Sequence, residues 1–285
     1  MTSGVLALVR PKQWVKNLLV VTAPLAAGSL LHPAVAARTA VAFLALVLAS
    51  SATYCLNDVL DSEADAQHPT KRNRPIPSGR VSRRTALALA VVLAAAALAV
   101  AWPGSLRWVV LAYLAFTVTY STVLKHQPVI ELALVSGGFV LRAIAGGAAT
   151  GIPLSQWFLI VAGFGSLFMV SGKRLSEAIW AESAGAVVRR SLTHYPLSYL
   201  RMLIGTSAAV TIAAYCLWAF QTGEGTDGSA WTTLSIVPFV LALLRYALDT
   251  DHGRVEEPEE VVLHDRTLLA LGVLWLLTYG AGTLL

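Results

Sequence analysis

Nothing constrains this chain more than its apolar runs, most of about 17–22 residues, each long enough to cross a ~30 Å hydrocarbon core as an α-helix. Nine are legible, at about 18–32, 38–57, 85–102, 107–124, 129–150, 154–171, 201–220, 231–247 and 266–285. Pro24 and Gly28 interrupt the first and make it the weakest. With 56% of residues hydrophobic and 13% charged, the composition is far from that of a soluble domain, which has about 25% charged residues. The fold class expected is an all-α integral membrane bundle of nine transmembrane helices, one domain over residues 1–285.

Charge placement orients the bundle. With the N-terminus in the cytoplasm and loops assigned alternately, the cytoplasmic segments hold nearly all of the 21 basic residues. Only Arg38 and Arg107 fall outside, and Arg142 lies within a span. That asymmetry is the positive-inside pattern and supports an odd number of spans. The pI near 9.4 therefore comes from membrane-flanking and loop residues and does not imply a nucleic-acid partner. Cys55 and Cys216 both lie in apolar runs, so no disulfide framework is expected. The N-terminus shows no signal-peptide pattern with a cleavage site. Arg10-Pro-Lys-Gln-Trp-Val-Lys16-Asn17 reads instead as an interfacial segment with Trp14 at headgroup depth.

External connections are short, whereas the cytoplasmic loops 58–84 and 172–200 are long and carry the unusual charges. Loops of this kind are where function concentrates, and these two are expected to cap an active site. The second run ends in Asn57-Asp58-Val-Leu-Asp61-Ser-Glu63-Ala-Asp65. In one helix, Asp58, Asp61 and Asp65 fall within about 60° of each other. Three carboxylates on one face near a bilayer repel and are costly to desolvate. Magnesium removes that cost, because it binds through one or two carboxylates together with waters and phosphate oxygens. Asp58 and Asp61 are accordingly the candidate catalytic residues and, with Asp65, the candidate metal ligands; Asn57 is expected to support the substrate. Lys71, Arg72, Arg74 and Arg80 follow in a Pro-broken loop that suits a polyanion such as a diphosphate. A solvated helix end beside a topology-setting basic loop is the bland alternative.

Asn57-Asp58-x-x-Asp61-x-x-x-Asp65, followed by Arg74-Pro75 and Gly79, resembles the first Asp-rich motif of the UbiA superfamily of intramembrane prenyltransferases. The resemblance covers essentially the whole chain. It implies nine transmembrane helices, a Mg²⁺ cofactor and a diphosphate held at the cytoplasmic end of a central cavity. Ordinary members carry a second Asp-rich motif after the sixth span. Here that place reads Ser171-Gly172-Lys173-Arg174-Leu-Ser-Glu177. Lys173 and Glu177 could form a simple i, i+4 pair, or Lys173 and Arg174 could hold a phosphate without metal; the second is favoured.

That departure, with the Arg10–Asn17 segment, Leu124-Lys125-His126 ahead of Glu131, Leu141-Arg142-Ala-Ile-Ala-Gly-Gly147 and Pro258-Glu259-Glu260, resembles one branch of the superfamily. Its members move 5-phosphoribose from phosphoribosyl pyrophosphate to a polyprenyl (decaprenyl) phosphate. The resemblance implies a multi-pass enzyme of a bacterial plasma membrane, with a cytoplasmic active site, that supplies arabinose precursors for the arabinogalactan of an actinobacterial envelope. The chemistry is coherent: the donor's 1-diphosphate needs metal and carboxylates, its 5-phosphate needs cations, and the lipid acceptor needs the bilayer. The acceptor oxygen is already anionic, so positioning and charge stabilisation suffice, with in-line displacement at C1 and inversion.

Within the spans, Arg142 lies 11 residues from Glu131, on the same face of the fifth span about three turns away. A structural partner and a substrate role stand level for it. Tyr120, Lys125 and Glu131 lie near the cytoplasmic ends of the fourth and fifth spans as candidate donor-pocket residues, and Lys16 joins them as a candidate substrate-binding cation. Gly137, Gly138, Gly146 and Gly147 suit close helix packing. The rivals are a prenyltransferase joining an isoprenyl diphosphate to an aromatic acceptor, which would need the second Asp-rich motif, and a transporter, which would show inverted repeats. A homo-oligomer is compatible with the sequence.

Overall fold

The structure, a computed structural model, describes residues 2–67, 71–102, 104–184, 194–223, 229–253, 261 and 264–284. Every regular element among them is helical. Among the described residues, seven helices are long and apolar enough to cross a membrane: Pro33–Leu60, Arg83–Ala101, Leu106–Leu124, Ile130–Thr150, Gln156–Glu182, Leu197–Gln221 and Ala230–Asp251. They coincide with seven of the nine expected runs. The run at 266–285 forms the helix Arg266–Leu284. Side chains such as Val91, Leu244 and Leu277 are more than half exposed. On an integral membrane protein that exposure faces hydrocarbon and costs nothing.

The chain gathers into two compact units, Met1–Lys125 with Leu141–Pro153, and His126–Val140 with Leu154–Leu285. In the first unit, α1 (Thr2–Val9) leads through Arg10 into a 3₁₀ helix, Pro11–Val21. A short α2 (Thr22–Ala26) follows, then α3 (Pro33–Leu60), α4 (Ser62–Ala66), α5 (Arg83–Ala101) and α6 (Leu106–Thr119). The packing of α3 on α5 dominates. Buried Ala42, Ala45, Ala49 and Ala52 line α3, and Ala86, Ala90, Ala97 and Ala101 line α5. Small residues at helical spacing let backbones approach where lipid removes the hydrophobic drive for association. Ser82 caps α5, its hydroxyl accepting from the Thr85 N–H at 3.0 Å.

The first expected span, 18–32, does not form one continuous α-helix. Residues 18–21 finish the 3₁₀ helix, and Pro24, which donates no backbone hydrogen bond, lies in the five-residue α2. Gly28, at φ 61°, then turns the chain toward Pro33. The 3₁₀ segment lies against the second half of α7 (Ile130–Thr150). A Cβ on Gly146 would stand 2.0 Å from the Val20 carbonyl oxygen, so only glycine admits that approach.

In the second unit, α8 (Gln156–Ala184) packs on α9 (Leu197–Gly223), followed by α10 (Ser229–Leu234), α11 (Ile236–Asp251) and α12 (Arg266–Leu284). The sequence ended a span at residue 171 and began a loop at 172. Instead α8 continues to Ala184. Buried Leu175 and the Arg174–Glu177 pair, on one face at i, i+3, extend it. At 29 residues it is about 43 Å long, more than the hydrocarbon core, so its charged last turns stand clear of that core. The 28-residue α3 overshoots similarly at its Asn57–Asp58 end. Asp265 caps α12, accepting from the N–H groups of Thr267 (2.7 Å) and Leu268 (3.1 Å), and holds Arg245 at 2.8 Å. The Arg245 guanidinium, then those N–H groups, hold its carboxyl well below the ordinary range.

Two outcomes follow from this packing. Gly146→Ala should cost about 2–3 kcal/mol in detergent unfolding, because a backbone carbonyl cannot yield as a side chain can. Because its folded pKa is depressed, Asp265 contributes stability that is complete above about pH 4 and lost as pH falls through the folded value. Asp265→Asn should therefore lower the unfolding temperature at pH 7 and leave it nearly unchanged at the most acidic pH the fold survives.

Candidate active site

The acidic motif sits where α3 gives way to α4. Asp61 ends α3 with φ −90° and ψ −2°. The hydrogen-bond ladder nevertheless carries through the junction: the Asp61 N–H donates to the Asn57 carbonyl at 2.9 Å and the Asp65 N–H to the Asp61 carbonyl at 2.8 Å. Asp58, Asp61 and Asp65 thus share a face across two helices rather than one. Asp58 is 3% exposed at its side chain and Asp61 40%.

Each carboxylate meets a cation from a different part of the first unit. Arg10 donates to Asp58. Arg74 donates to Asp65 at 2.6 Å and lies 3.5 Å from Asp58. Lys125 donates to Asp61. Three acids thereby stand against three bases, which removes the mutual repulsion that made the bare motif improbable near a bilayer. Arg74 is presented by turns that close Arg74 on Lys71 (2.9 Å) and Val81 on Pro75 (3.0 Å). Lys125 is presented by a π-helical turn, Tyr120–Leu124, that ends α6. Such turns are frequent at functional sites. Lys71 is half-buried and Arg72 exposed on the same loop; Lys16, on the 3₁₀ segment, and Tyr120 are half-buried.

Arg10 went unassigned in the sequence, although it heads the Arg-Pro-Lys segment. It occupies a left-handed conformation, φ 50° and ψ 65°. The preceding carbonyl, Val9 O, accepts from the Trp14 indole at 3.1 Å and the Ser51 hydroxyl at 3.2 Å, which fixes the backbone. Trp14 is thus a clamp within the protein. The Arg10 guanidinium lies over the Tyr54 ring, 5.2 Å from its centroid. Tyr54 precedes Asp58 by four residues on α3, and that i, i+4 step was the signal available for it.

The donor set suits magnesium. The buried Asn57 Oδ1 has no hydrogen-bond partner, an orphan that native interiors rarely tolerate. It adjoins Asp58, and both offer hard oxygen. Among the described residues no three His, Cys, Asp or Glu side chains gather closely enough to hold a metal alone. Magnesium does not require that, since water and phosphate oxygens complete its six positions.

The second unit holds a separate charge cluster. Arg174 donates to both oxygens of Glu131, each at 3.1 Å, and to Glu177 at 2.9 Å. Glu131 is 1% and Arg174 5% exposed. The sequence offered Arg174 to a phosphate and Glu131 to a donor pocket; the structure occupies both groups with each other. Glu177 pairs with Arg174, and Lys173 is half-buried. Glu131 is set by an unusual turn. Val129, a β-branched residue at φ 66°, donates its N–H to the Tyr195 hydroxyl at 2.5 Å. Tyr195 stacks on Tyr199, and burial pushes its hydroxyl above the ordinary tyrosine value.

Arg142 has a structural setting in the first unit. It donates to Asn17 Oδ1 at 2.9 Å and the Tyr113 hydroxyl at 2.8 Å, with its guanidinium 4.9 Å above the Tyr113 ring. Asn17 in turn donates to Ser50. With the Gly146 approach one turn further along α7, this network pins the 3₁₀ segment that carries Arg10 and Lys16. His68, Arg189, Arg190, Arg254 and Pro258-Glu259-Glu260 lie outside the described residues.

Residues 18–267 match the model of the UbiA prenyltransferase family. The chain belongs to this family. Its UbiA relatives include the decaprenyl-phosphate phosphoribosyltransferase of Mycobacterium tuberculosis, 47% identical over 99% of this chain and 94% of that protein. The enzyme of that name from Corynebacterium glutamicum is 44% identical over 96% and 85%. In fold, the chain superposes on a UbiA homolog from Archaeoglobus fulgidus bound to DMAPP and Mg²⁺ with a TM-score of 0.72, at 16% identity over 98% and 97% of the two chains. The membrane expectation and the superfamily resemblance are therefore borne out, and the chain is a multi-pass membrane enzyme of the UbiA family.

Removing one member of a buried ion pair leaves the other uncompensated. Glu131→Gln should cost about 3 kcal/mol in detergent unfolding, and Glu131→Leu combined with Arg174→Met should recover much of that loss.

Proposed function

We propose that the protein transfers 5-phosphoribose from phosphoribosyl pyrophosphate to a polyprenyl phosphate, with decaprenyl phosphate as the acceptor, and releases diphosphate. The observation that carries this reading is the Asp58–Asp61–Asp65 face with its three paired cations and the orphaned Asn57 oxygen. The near-full-length similarity to decaprenyl-phosphate phosphoribosyltransferases supports the choice of donor and acceptor. Asp58 and Asp61, with Asn57, would hold Mg²⁺; Asp65 serves chiefly to fix Arg74. Bound there, magnesium would neutralise charge that builds on the departing diphosphate.

The chain's own residues do the rest. Lys125 can release Asp61 to the metal and turn to phosphate oxygens, while Arg74, kept on Asp65, adds positive potential with Lys71 and Arg72 from the same loop. The acceptor phosphate attacks C1 of the ribose, the C1–oxygen bond to diphosphate breaks, and the electron pair leaves with diphosphate. The attacking oxygen is anionic near neutral pH, so no side chain has to take its proton. The concentration of basic residues in the loops supports a site on the cytoplasmic side of a bacterial plasma membrane, where the water-soluble donor is made. The expected role is supply of arabinose precursors for cell-wall arabinan.

A transfer assay with purified protein, labelled phosphoribosyl pyrophosphate and decaprenyl phosphate tests this. Lipid-soluble label should form with Mg²⁺, vanish with a chelator, and fall at least about a hundredfold in Asp61→Asn, a loss of the size expected for a group that holds the metal. No lipid product, together with turnover of an isoprenyl diphosphate on an aromatic acceptor, would return the protein to the ordinary prenyltransferases.

A further inference from the structure

Resting on the magnesium–diphosphate reading of the Asp site, we propose that Arg10 is a substrate-binding residue stored on the metal's own ligand: without metal it occupies Asp58, and when magnesium takes Asp58 its guanidinium moves to the diphosphate. Three observations carry this. First, Arg10 holds Asp58 through Oδ1, the oxygen that also lies 3.5 Å from Arg74, so a metal that binds Asp58 through Oδ1 has to displace Arg10. Second, the three cations are not equally bound. Arg74 keeps Asp65 at 2.6 Å whatever happens at Asp58, whereas among the described residues Asp58 is the one carboxylate Arg10 touches. Metal binding therefore leaves Arg74 paired and sets Arg10 loose. Third, Arg10 is built to swing without refolding. Its backbone is held in the left-handed region by the Trp14 and Ser51 bonds to Val9, a conformation that persists only where its surroundings over-determine it. Its side chain is 30% exposed and rests on the Tyr54 ring, a contact without directional bonds that lets the guanidinium turn.

Charge balance agrees with the exchange. Three carboxylates and three cations sum to neutrality before ligand arrives. A magnesium ion at the carboxylates adds positive charge there, and a diphosphate brings the negative charge that the released cation then meets. A planar guanidinium suits two phosphate oxygens at once, which an ammonium cannot match. Arg10 would then enforce order at the site: metal alone competes with an internal cation, while metal arriving with diphosphate gives that cation somewhere better to go.

The test measures binding, not turnover. Mn²⁺ binding to the ligand-free protein is read by electron paramagnetic resonance, and inorganic pyrophosphate binding at saturating Mg²⁺ by calorimetry. Arg10→Gln should tighten Mn²⁺ about tenfold, because a competitor for the ligand is gone, and weaken pyrophosphate about tenfold, because a charge-assisted contact is gone. Arg10→Lys, which keeps the charge on Asp58, should hold Mn²⁺ within about twofold and weaken pyrophosphate about threefold. Should Arg10→Gln fail to fold, Arg10→Lys alone decides, since unchanged pyrophosphate affinity in it contradicts the proposal. Opposite shifts in Arg10→Gln support the exchange. Shifts of the same sign, or none, overturn it. If wild-type protein binds no pyrophosphate with Mg²⁺, the magnesium–diphosphate reading itself fails, separately from the role of Arg10.

Discussion

The rest of the structure depends on a set of buried and half-buried carboxylates that must never stand alone. Asp58 and Asp65 are almost fully enclosed at the end of a membrane helix. A desolvated carboxylate there is tolerable only when a cation or metal answers it. The first unit is arranged to supply those answers. The 3₁₀ segment, pinned by Gly146 and by the Arg142–Asn17–Tyr113 network, holds Arg10 in place. The Pro-rich loop delivers Arg74, and the π-turn delivers Lys125. Structural residues far from any phosphate thus determine what the site can bind.

The second unit answers its own buried acid in another way. Glu131 and Arg174 form a two-pronged pair, 1% and 5% exposed, with Glu177 on the remaining guanidinium nitrogen. That arrangement is closed: both partners are spent on each other, and the turn before Glu131 is locked by the Val129–Tyr195 bond. The first site differs because its ion pairs involve half-exposed Asp61, Arg10 and Lys125 and leave the Asn57 oxygen unsatisfied. A closed cluster braces a fold. An open one, neutral but incomplete, is poised to exchange partners.

Much of this was legible in the residues. Seven helices among the described residues follow from runs of apolar residues because length and composition alone meet the bilayer's demand. Asp58, Asp61 and Asp65 could be placed on one face because their spacing is periodic. What stayed hidden was pairing. Nothing in the spacing of Arg10 or Lys125 says that they meet Asp58 and Asp61, 48 and 64 residues away. Arg174 looked available for a phosphate, since Glu131 lies 43 residues from it. The first run misled because hydropathy sums side chains and ignores the backbone: Pro24 and Gly28 leave it apolar but unable to continue as a helix. The end of α8 misled in reverse, as charged residues that suggest a loop instead neutralise one another on a helix face.

The most direct test of the account is to locate the metal. Crystals or grids of the protein prepared with Mn²⁺ and pyrophosphate would place it, by anomalous scattering or by density. The account predicts one metal bound by Asp58 and Asp61, with the Arg10 guanidinium off Asp58 and on pyrophosphate oxygens, and Arg74 still on Asp65. A metal bound elsewhere, or Arg10 still seated on Asp58 beside a bound pyrophosphate, would contradict it.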